Sequence, residues 1–422
     1  MRRPFAYLFE RFPSFVQVFC IREVEEMTAQ GMDPMILSVR EAETGGFESL
    51  AAQRQGISYI PDQDTLRKEV RELAAQKRIP RTILPAIQQW PTDKPDKMRL
   101  YEAAWAGHRL RKAGIRHVHS HFAGIAARSA LWMKRFYGIS YSFTGHANDI
   151  FVSTDLPVTV DELIREAAFV ATVSEFSASN LRKRFPDSAR RIHRVYNGID
   201  PTHFRQVDPS KNGREILSVG RLVEKKGYPD LIKACGILKE RGTKFSCRIV
   251  GDGPLEGELR RLIKKLELDD CVELCGPRSQ DDLRVFFAQS RIFVLACNIE
   301  RDGGMDNLPT VITEAMMAGL PVVSTRLAGV PEQVLDGKTG ILTEPGDSEG
   351  IATALGKLLS DDRLTHEMGA AGRRHAQHTF SLAHTVRSLK RLLCRQGRAL
   401  PTSRALVKDP TLLLCKFGLP LR

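Results

Sequence analysis

The sequence runs to 422 residues, 42% hydrophobic and 27% charged, with a formal net charge of +13. That length supports two domains with separate cores, and the composition excludes a disordered or fibrous chain. No apolar run approaches the roughly 18 residues that a bilayer-spanning helix needs. The start of the chain lacks the apolar core and small-residue cleavage site of a secretory signal.

The eight cysteines form no CxxC pair and no His/Cys metal spacing, so they read as reduced cytoplasmic thiols. Charge is unevenly spread: from Ser381 to Arg422 there are nine Lys/Arg against one acid, Asp409, so eight of the thirteen excess charges lie there. A tail of this kind suits peripheral contact with an anionic membrane leaflet, the alternative being a solvated helix face. It has no interleaved aromatics and does not suit nucleic acid.

Along the chain, Phe5–Phe9 is a short apolar strand, Arg11-Phe12-Pro13-Ser14 a loop, and Val18–Gly31 a helix with Val18, Ile21, Val24 and Met27 on one stripe. Met35–Val39 returns as a strand. Residues 62–105 alternate charged helical text with prolines, and Asp62-Gln63-Asp64 reads as an acidic patch at a helix start, not a metal triplet. His117–Phe122 alternates as a strand, a helix follows from Gly124 to Tyr137, and Ile139–Phe143 is a strand leaving through Thr144-Gly145-His146-Ala147-Asn148-Asp149. In a doubly wound sheet ligands collect at the carboxyl ends of strands, where both His121 and His146 fall. Ala168–Ser174 is a buried strand, Ser174–Arg184 a helix, Arg194–Asp200 a strand and turn, and Pro201–Gly213 a linker.

The alternation then restarts. Glu215–Val219 is a strand, Gly220–Gly227 a loop, and Tyr228–Arg241 a helix. Arg221 and Lys226 on that loop are two lasting cations, suited to a diphosphate. Phe245–Val250 leads to Gly251-Asp252-Gly253, which lacks the third glycine of a dinucleotide turn and argues against hydride transfer. Cys271–Gly276 is a strand and Asp281–Ala288 a helix. The stretch from Arg291 to Gln333 organises the rest: strand Ile292–Ala296, a polar loop from Asn298 to Asn307, and a helix with Pro309 at its first position, ended by Gly319. Strand Pro321–Thr325 and a helix at Gly329–Glu332 follow. Helix N-termini at such loops offer free N–H groups to an anion, and Glu314, one turn in, suits ribose hydroxyls. A late strand at Gly340–Leu342 precedes helices at 350–359, 363–378 and 385–393.

Asp306 to Met316, DNLPTVITEAM, resembles the acid-x7-Glu signature of retaining GT-B glycosyltransferases of the family 4, group 1 type, with Asp306 where the family usually has Glu. The subgroup most resembled builds bacterial exopolysaccharides of the colanic-acid type. Phe12, Pro13 and Phe19 fit its N-terminal pattern, while Val16, Gln17 and Val18 replace its Ser-Glu-Thr.

The resemblance implies an α/β GT-B fold: two Rossmann-like doubly wound domains facing a central cleft, with a C-terminal helix crossing back to the first. It implies an acceptor-side domain over 1–207, a nucleotide-sugar domain over 208–383, and a cross-over helix with basic tail over 384–422. The implied function is retaining, metal-independent transfer of a hexose from a UDP- or GDP-sugar to a lipid-linked or saccharide acceptor, in the cytoplasm or at the inner face of its membrane. No cofactor or metal is implied. The implied catalytic set is His146, Arg221, Lys226, Asp306 and Glu314. Gly220, Gly251, Asp252, Gly253, Pro277, Asn307, Leu308 and Glu314 would line the nucleotide. Phe12, Pro13, His121 and Asp149 would lie on the acceptor side. An epimerase or phosphorylase of the same fold, or an inactive nucleotide-sugar-binding scaffold, are the alternatives.

Overall fold

The computed structural model of the chain describes residues 5–14, 17–42, 56–91, 95–146, 149 and 156–398. These fall into two compact units. One is drawn from Met1–Val173, Ala178–Val195 and Val386–Arg422, the other from Ser174–Ser177 and Tyr196–Thr385. The division thus lies at Val195/Tyr196, upstream of the 207/208 break read from the linker composition.

The first unit contains β1 (Ala6–Arg11), α1 (Val18–Ala29), β2 (Met35–Arg40), β3 (Ile57–Tyr59), α2 (Gln63–Ala75), α3 (Ile83–Gln89), α4 (Lys97–Lys112), β4 (His117–His121), α5 (Ile125–Tyr137), β5 (Ser140–Gly145), α6 (Val160–Glu166), β6 (Val170–Thr172), most of α7 (Glu175–Arg184) and β7 (Ile192–Arg194). Its seven parallel strands are ordered β3-β2-β1-β4-β5-β6-β7. The strand order reverses between β1 and β4, and the carboxyl ends of that pair are where a doubly wound sheet opens a crevice. Phe12 follows one strand, and His121 ends the other.

Periodicity explains the layers. Cys20, Ile21, Val24 and Met27 form the buried stripe of α1. Asp62 caps α2, accepting from Asp64 N and Thr65 N, so the acidic triplet serves the helix start. Strand β7 begins two residues earlier than expected, because Ile192–Arg194 pairs in register with Val170–Thr172. The expected run beyond it leaves the sheet, and Ile199 instead bridges Ser381.

The second unit contains β8 (Glu215–Val219), α8 (Tyr228–Glu240), β9 (Ser246–Val250), α9 (Glu256–Lys265), β10 (Val272–Gly276), α10 (Gln280–Gln289), β11 (Ile292–Leu295), α11 (Thr310–Ala318), β12 (Val322–Thr325), α12 (Val330–Gln333), β13 (Gly340–Thr343), α13 (Ser348–Ser360) and α14 (Asp362–Thr379). Its six parallel strands run β10-β9-β8-β11-β12-β13, again reversing once, between β8 and β11. Pro309 caps α11 with ψ 115°, so the helix starts one residue later than expected, and Gly319 ends it at φ 95°. The last helix, α15 (Leu382–Arg398), begins in the second unit and continues in the first, where Lys390 Nζ donates to Gln30 O. The part of the basic tail beyond residue 398 lies outside the described residues.

Inside the first unit, Glu102 on α4 is 3% exposed. It pairs with Arg99 at 2.6 Å and accepts from Ser129 Oγ. Burial nevertheless pushes its pKa up to about 7. A folded-state pKa above the unfolded value favours the native state fully below about pH 4.3, and the benefit disappears as pH rises through about 7. Between pH 5 and 8 wild type should therefore lose roughly 2–3 kcal/mol more than Glu102→Gln. Urea midpoints at the two pH values read this directly; equal slopes would show that Glu102 ionises normally.

Candidate functional site

In the second unit, β8 ends at Val219 and the loop from Gly220 to α8 carries Arg221, exposed, and Lys226, with a side chain 14% exposed. Gly227 closes that loop at φ 64°. A Cβ there would sit 1.7 Å from Ala296 O, so only glycine lets the loop meet the end of β11. The result is an ion pair: Lys226 Nζ lies 2.5 Å from Asp306 Oδ2, and the Asp306 side chain is 16% exposed. Burial alone would lower the Lys226 pKa, but Asp306 outweighs it and the net shift is upward. Lys226 is therefore a firm cation. The Cys297 thiol beside the pair is pushed up to about 12 by burial and stays neutral.

The start of α11 has no side-chain cap, which leaves N–H groups of the first turn available to an anion. Asn307, 3% exposed, accepts from Ser174 Oγ through Oδ1, while its buried Nδ2 has no acceptor among the described residues. Leu308 is buried beside it, and Glu314 is 5% exposed within α11. The buried Gln333 amide holds the helix start by donating to Pro309 O at 2.9 Å and Thr313 Oγ1 at 2.7 Å.

The glycine loop after β9 packs on the loop after β8. Gly251, at φ 143°, would bring a Cβ to 2.0 Å from Gly220 O, and Leu222 N donates to Asp252 O at 2.7 Å. Gly253 belongs to the same loop, and Pro277, exposed, follows the neighbouring β10. The structure thus gathers Gly220, Arg221, Lys226, Gly251–Gly253, Asp306 and Asn307 at the carboxyl edge of one sheet.

In the first unit, β4 and β5 present a polar face. His117, His119 and His121 lie opposite Ser140, Ser142 and Thr144 in register. His119 bonds Ser142 Oγ at 2.8 Å and Thr144 Oγ1 at 3.1 Å. Burial holds the His117 pKa down at about 3, and burial together with the neighbouring histidines holds His119 well below the ordinary range. His121 is fully enclosed, one ring behind His146: its Nδ1 is 3.3 Å from His146 Nε2. Its Nε2 is 3.1 Å from Glu23 Oε1.

Phe12 is also buried, stacked 4.3 Å from Phe9, with Pro13 buried beside it. Asp149 Oδ2 accepts from His146 N at 2.9 Å, so this carboxylate shapes the loop. Its pKa is pushed up to about 6, with burial the largest cause. Donor atoms of Glu23, His119 and His121 approach within 4.8 Å of one another. Both ring nitrogens of His119 and of His121 have hydrogen-bond partners.

Two residues that hold these neighbourhoods together escaped the sequence. Glu23 sits three residues after Cys20 on the buried side of α1, and a carboxylate so close to an apolar stripe was the available signal. Glu332 accepts from Glu175 N at 2.8 Å, Phe176 N at 2.9 Å and Tyr196 Oη at 2.9 Å, capping α7 from α12, far along the chain.

The profile described as Glycosyltransferase Family 4 matches residues 16–203, and that described as Glycosyl transferases group 1 matches 200–375. The putative colanic acid biosynthesis glycosyltransferase WcaL of Escherichia coli K12 is 35% identical over 55% of this chain and 58% of its own length. The N-acetyl-alpha-D-glucosaminyl L-malate synthase of Bacillus anthracis is 30% identical over 62% of this chain and 70% of its own. Among solved structures, Anabaena HepE in complex with UDP superposes with a TM-score of 0.66 at 18% identity, covering 92% of this chain and 100% of that one. The chain belongs to the group 1 glycosyltransferases of glycosyltransferase family 4, with the two-domain GT-B fold.

Gly227 and Gly138 both hold left-handed backbone, at φ 64° and 69°, but a Cβ on Gly138 meets nothing within 4 Å. Gly138→Ala should cost about 1 kcal/mol and Gly227→Ala at least about twice that, since only the latter collides with Ala296. Urea denaturation of the two variants compares them; equal costs would mean that the close approach does not constrain the loop.

Proposed function

We propose that the protein transfers a hexose from a nucleotide-diphosphate sugar, with retention, to a lipid-linked or saccharide acceptor in assembly of a cell-surface polysaccharide. The observation that carries this is the Lys226–Asp306 pair beside the uncapped start of α11. A cation, a helix N-terminus and a nearby carboxylate suit a diphosphate attached to a polyhydroxyl ring. WcaL, named for colanic acid, supports the polysaccharide setting, and HepE with UDP supports a nucleotide-diphosphate donor.

In this reading Arg221, Lys226 and the α11 N–H groups hold the diphosphate, Glu314 the ribose, and Asp306 the sugar hydroxyls. The loops at Gly220, Gly251–Gly253 and Pro277 border the nucleotide. In the first unit His146 is assigned to a substrate hydroxyl, with Phe12, Pro13, His121 and Asp149 shaping its surroundings. The acceptor oxygen forms its bond to the anomeric carbon on the face that the diphosphate leaves. The departing phosphate oxygen takes the electron pair of the broken bond and the acceptor's proton. Preorganised donors on a leaving group contribute on the order of 2.7–4 kcal/mol each. The two side-chain cations and the helix end supply the charge that a divalent ion supplies elsewhere.

A thermal-shift panel of UDP-, GDP- and ADP-sugars, with and without chelator, tests this on wild type and Glu314→Ala. One nucleotide class at about 100 times its dissociation constant should stabilise wild type by about 2.7 kcal/mol, chelator or not, and fail to do so in the variant. No shift with any class from a folded sample would overturn the reading.

A further inference from the structure

The hydrogen bonds behind His146 carry an assignment of their own. His146 follows β5, and its Nε2 meets His121 Nδ1 at 3.3 Å. The far nitrogen of His121 meets Glu23 Oε1 at 3.1 Å, and Tyr7 Oη donates to the same oxygen at 2.6 Å. An ionised carboxylate only accepts, so His121 must donate to it through Nε2. Whichever of His121 Nδ1 and His146 Nε2 carries the hydrogen between them, the other must offer a lone pair. His146 Nδ1 has no hydrogen-bond partner among the described residues, and the rings of Phe19 and Phe122, 4.9 and 4.4 Å away, brace the imidazole.

We propose that Glu23 and His121 are positioning residues that fix the tautomer of His146, so that Nδ1 presents an N–H to a substrate oxygen. The inference rests on His146 meeting substrate, as read above, and specifies what that nitrogen offers: a donor to a hydroxyl or carbonyl oxygen, not a base.

The surrounding groups set the proton count. From α1 come Glu23 and Cys20, whose pKa is raised by burial against the opposing effect of His121. From β1 comes Tyr7, neutral, its pKa raised first by burial and then by Glu23. From β4 comes His119, neutral and pinned between Ser142 and Thr144. From β5 comes His146, held neutral by burial and by His121. Asp149 beyond it is a weaker influence, itself facing Arg128.

For His121, burial opposes a second proton, yet Cys20 and Glu23 outweigh it and the pKa stands well above the ordinary value. Of these two, Glu23 is the one whose oxygen faces the His121 Nε2 hydrogen, at 3.1 Å. His121 then donates on both sides, to Glu23 and to His146 Nε2, and the neutral His146 must carry its hydrogen on Nδ1. Loss of one proton from His121 reverses the second bond, and Nδ1 of His146 becomes an acceptor.

Long-range proton–nitrogen NMR of the full chain labelled with ¹⁵N-histidine, titrated from pH 5.5 to 10, reads each ring nitrogen; His121→Asn and His146→Gln assign the signals. Near pH 7 wild type should show His121 protonated on both nitrogens and His146 bare at Nε2. In Glu23→Gln, His121 should be neutral at the same pH and His146 should carry its hydrogen on Nε2. The alkaline limb of kcat should move down by about one pH unit or more, while the nucleotide-induced thermal shift stays unchanged. If Glu23→Gln does not fold, wild type decides alone: His121 and His146 must change together at one pH. A His146 tautomer indifferent to Glu23, or a His121 already neutral at pH 7 in wild type, overturns the proposal. Correct tautomers without any sugar transfer would sink the functional reading and leave this one standing.

Discussion

The contact on which the second unit depends is the ion pair between Lys226 and Asp306. Folding has already stripped much of the water from both groups, so the usual penalty for desolvating a charge is met before any ligand arrives. In the proposed function a diphosphate exchanges for that carboxylate around a cation already in place, and Asp306 is released to hydroxyl groups. The backbone around the pair exists to bring it together: Gly227 turns the β8–α8 loop onto the end of β11, and Asn307 and Gln333 fix the segment entering α11.

The first unit uses a different material. Where aliphatic side chains would ordinarily fill a parallel sheet, β4 and β5 set imidazoles against hydroxyls, each in hydrogen-bonding contact with the next. Such a layer is stable only when every member is satisfied, and it then fixes ring orientations more firmly than packing alone. At the carboxyl end of the same strands the series changes character: His121 gains Glu23 as a partner and charge enters the interior. A neutral polar core thus leads to a charged one at the edge where doubly wound sheets bind ligands.

Much of this was legible in the sequence for physical reasons. Buried parallel strands read as short apolar runs, and glycines marked the loops where backbones approach closely, as at Gly227 and Gly319. His121 and His146 stood at strand ends. Illegible were the pairings that only the folded register creates. Nothing local tells Lys226 that it will meet Asp306, or Glu23 that His121 will lie opposite it nearly a hundred residues later. Glu332 caps a helix far earlier in the chain, and its own neighbourhood only announced a short helix. The three helices from Gln63 to Lys112 were blurred by prolines and charge, and α9 passed unnoticed because its buried face is only Leu259 and Ile263.

The most direct test of the account is a crystal structure of the full chain with a nucleoside diphosphate bound. Lys226 Nζ should lie within about 3 Å of a phosphate oxygen, with Asp306 released from it and the phosphates against the start of α11. A diphosphate bound away from that helix, or one held while Lys226 remains on Asp306, would contradict the exchange on which the account rests.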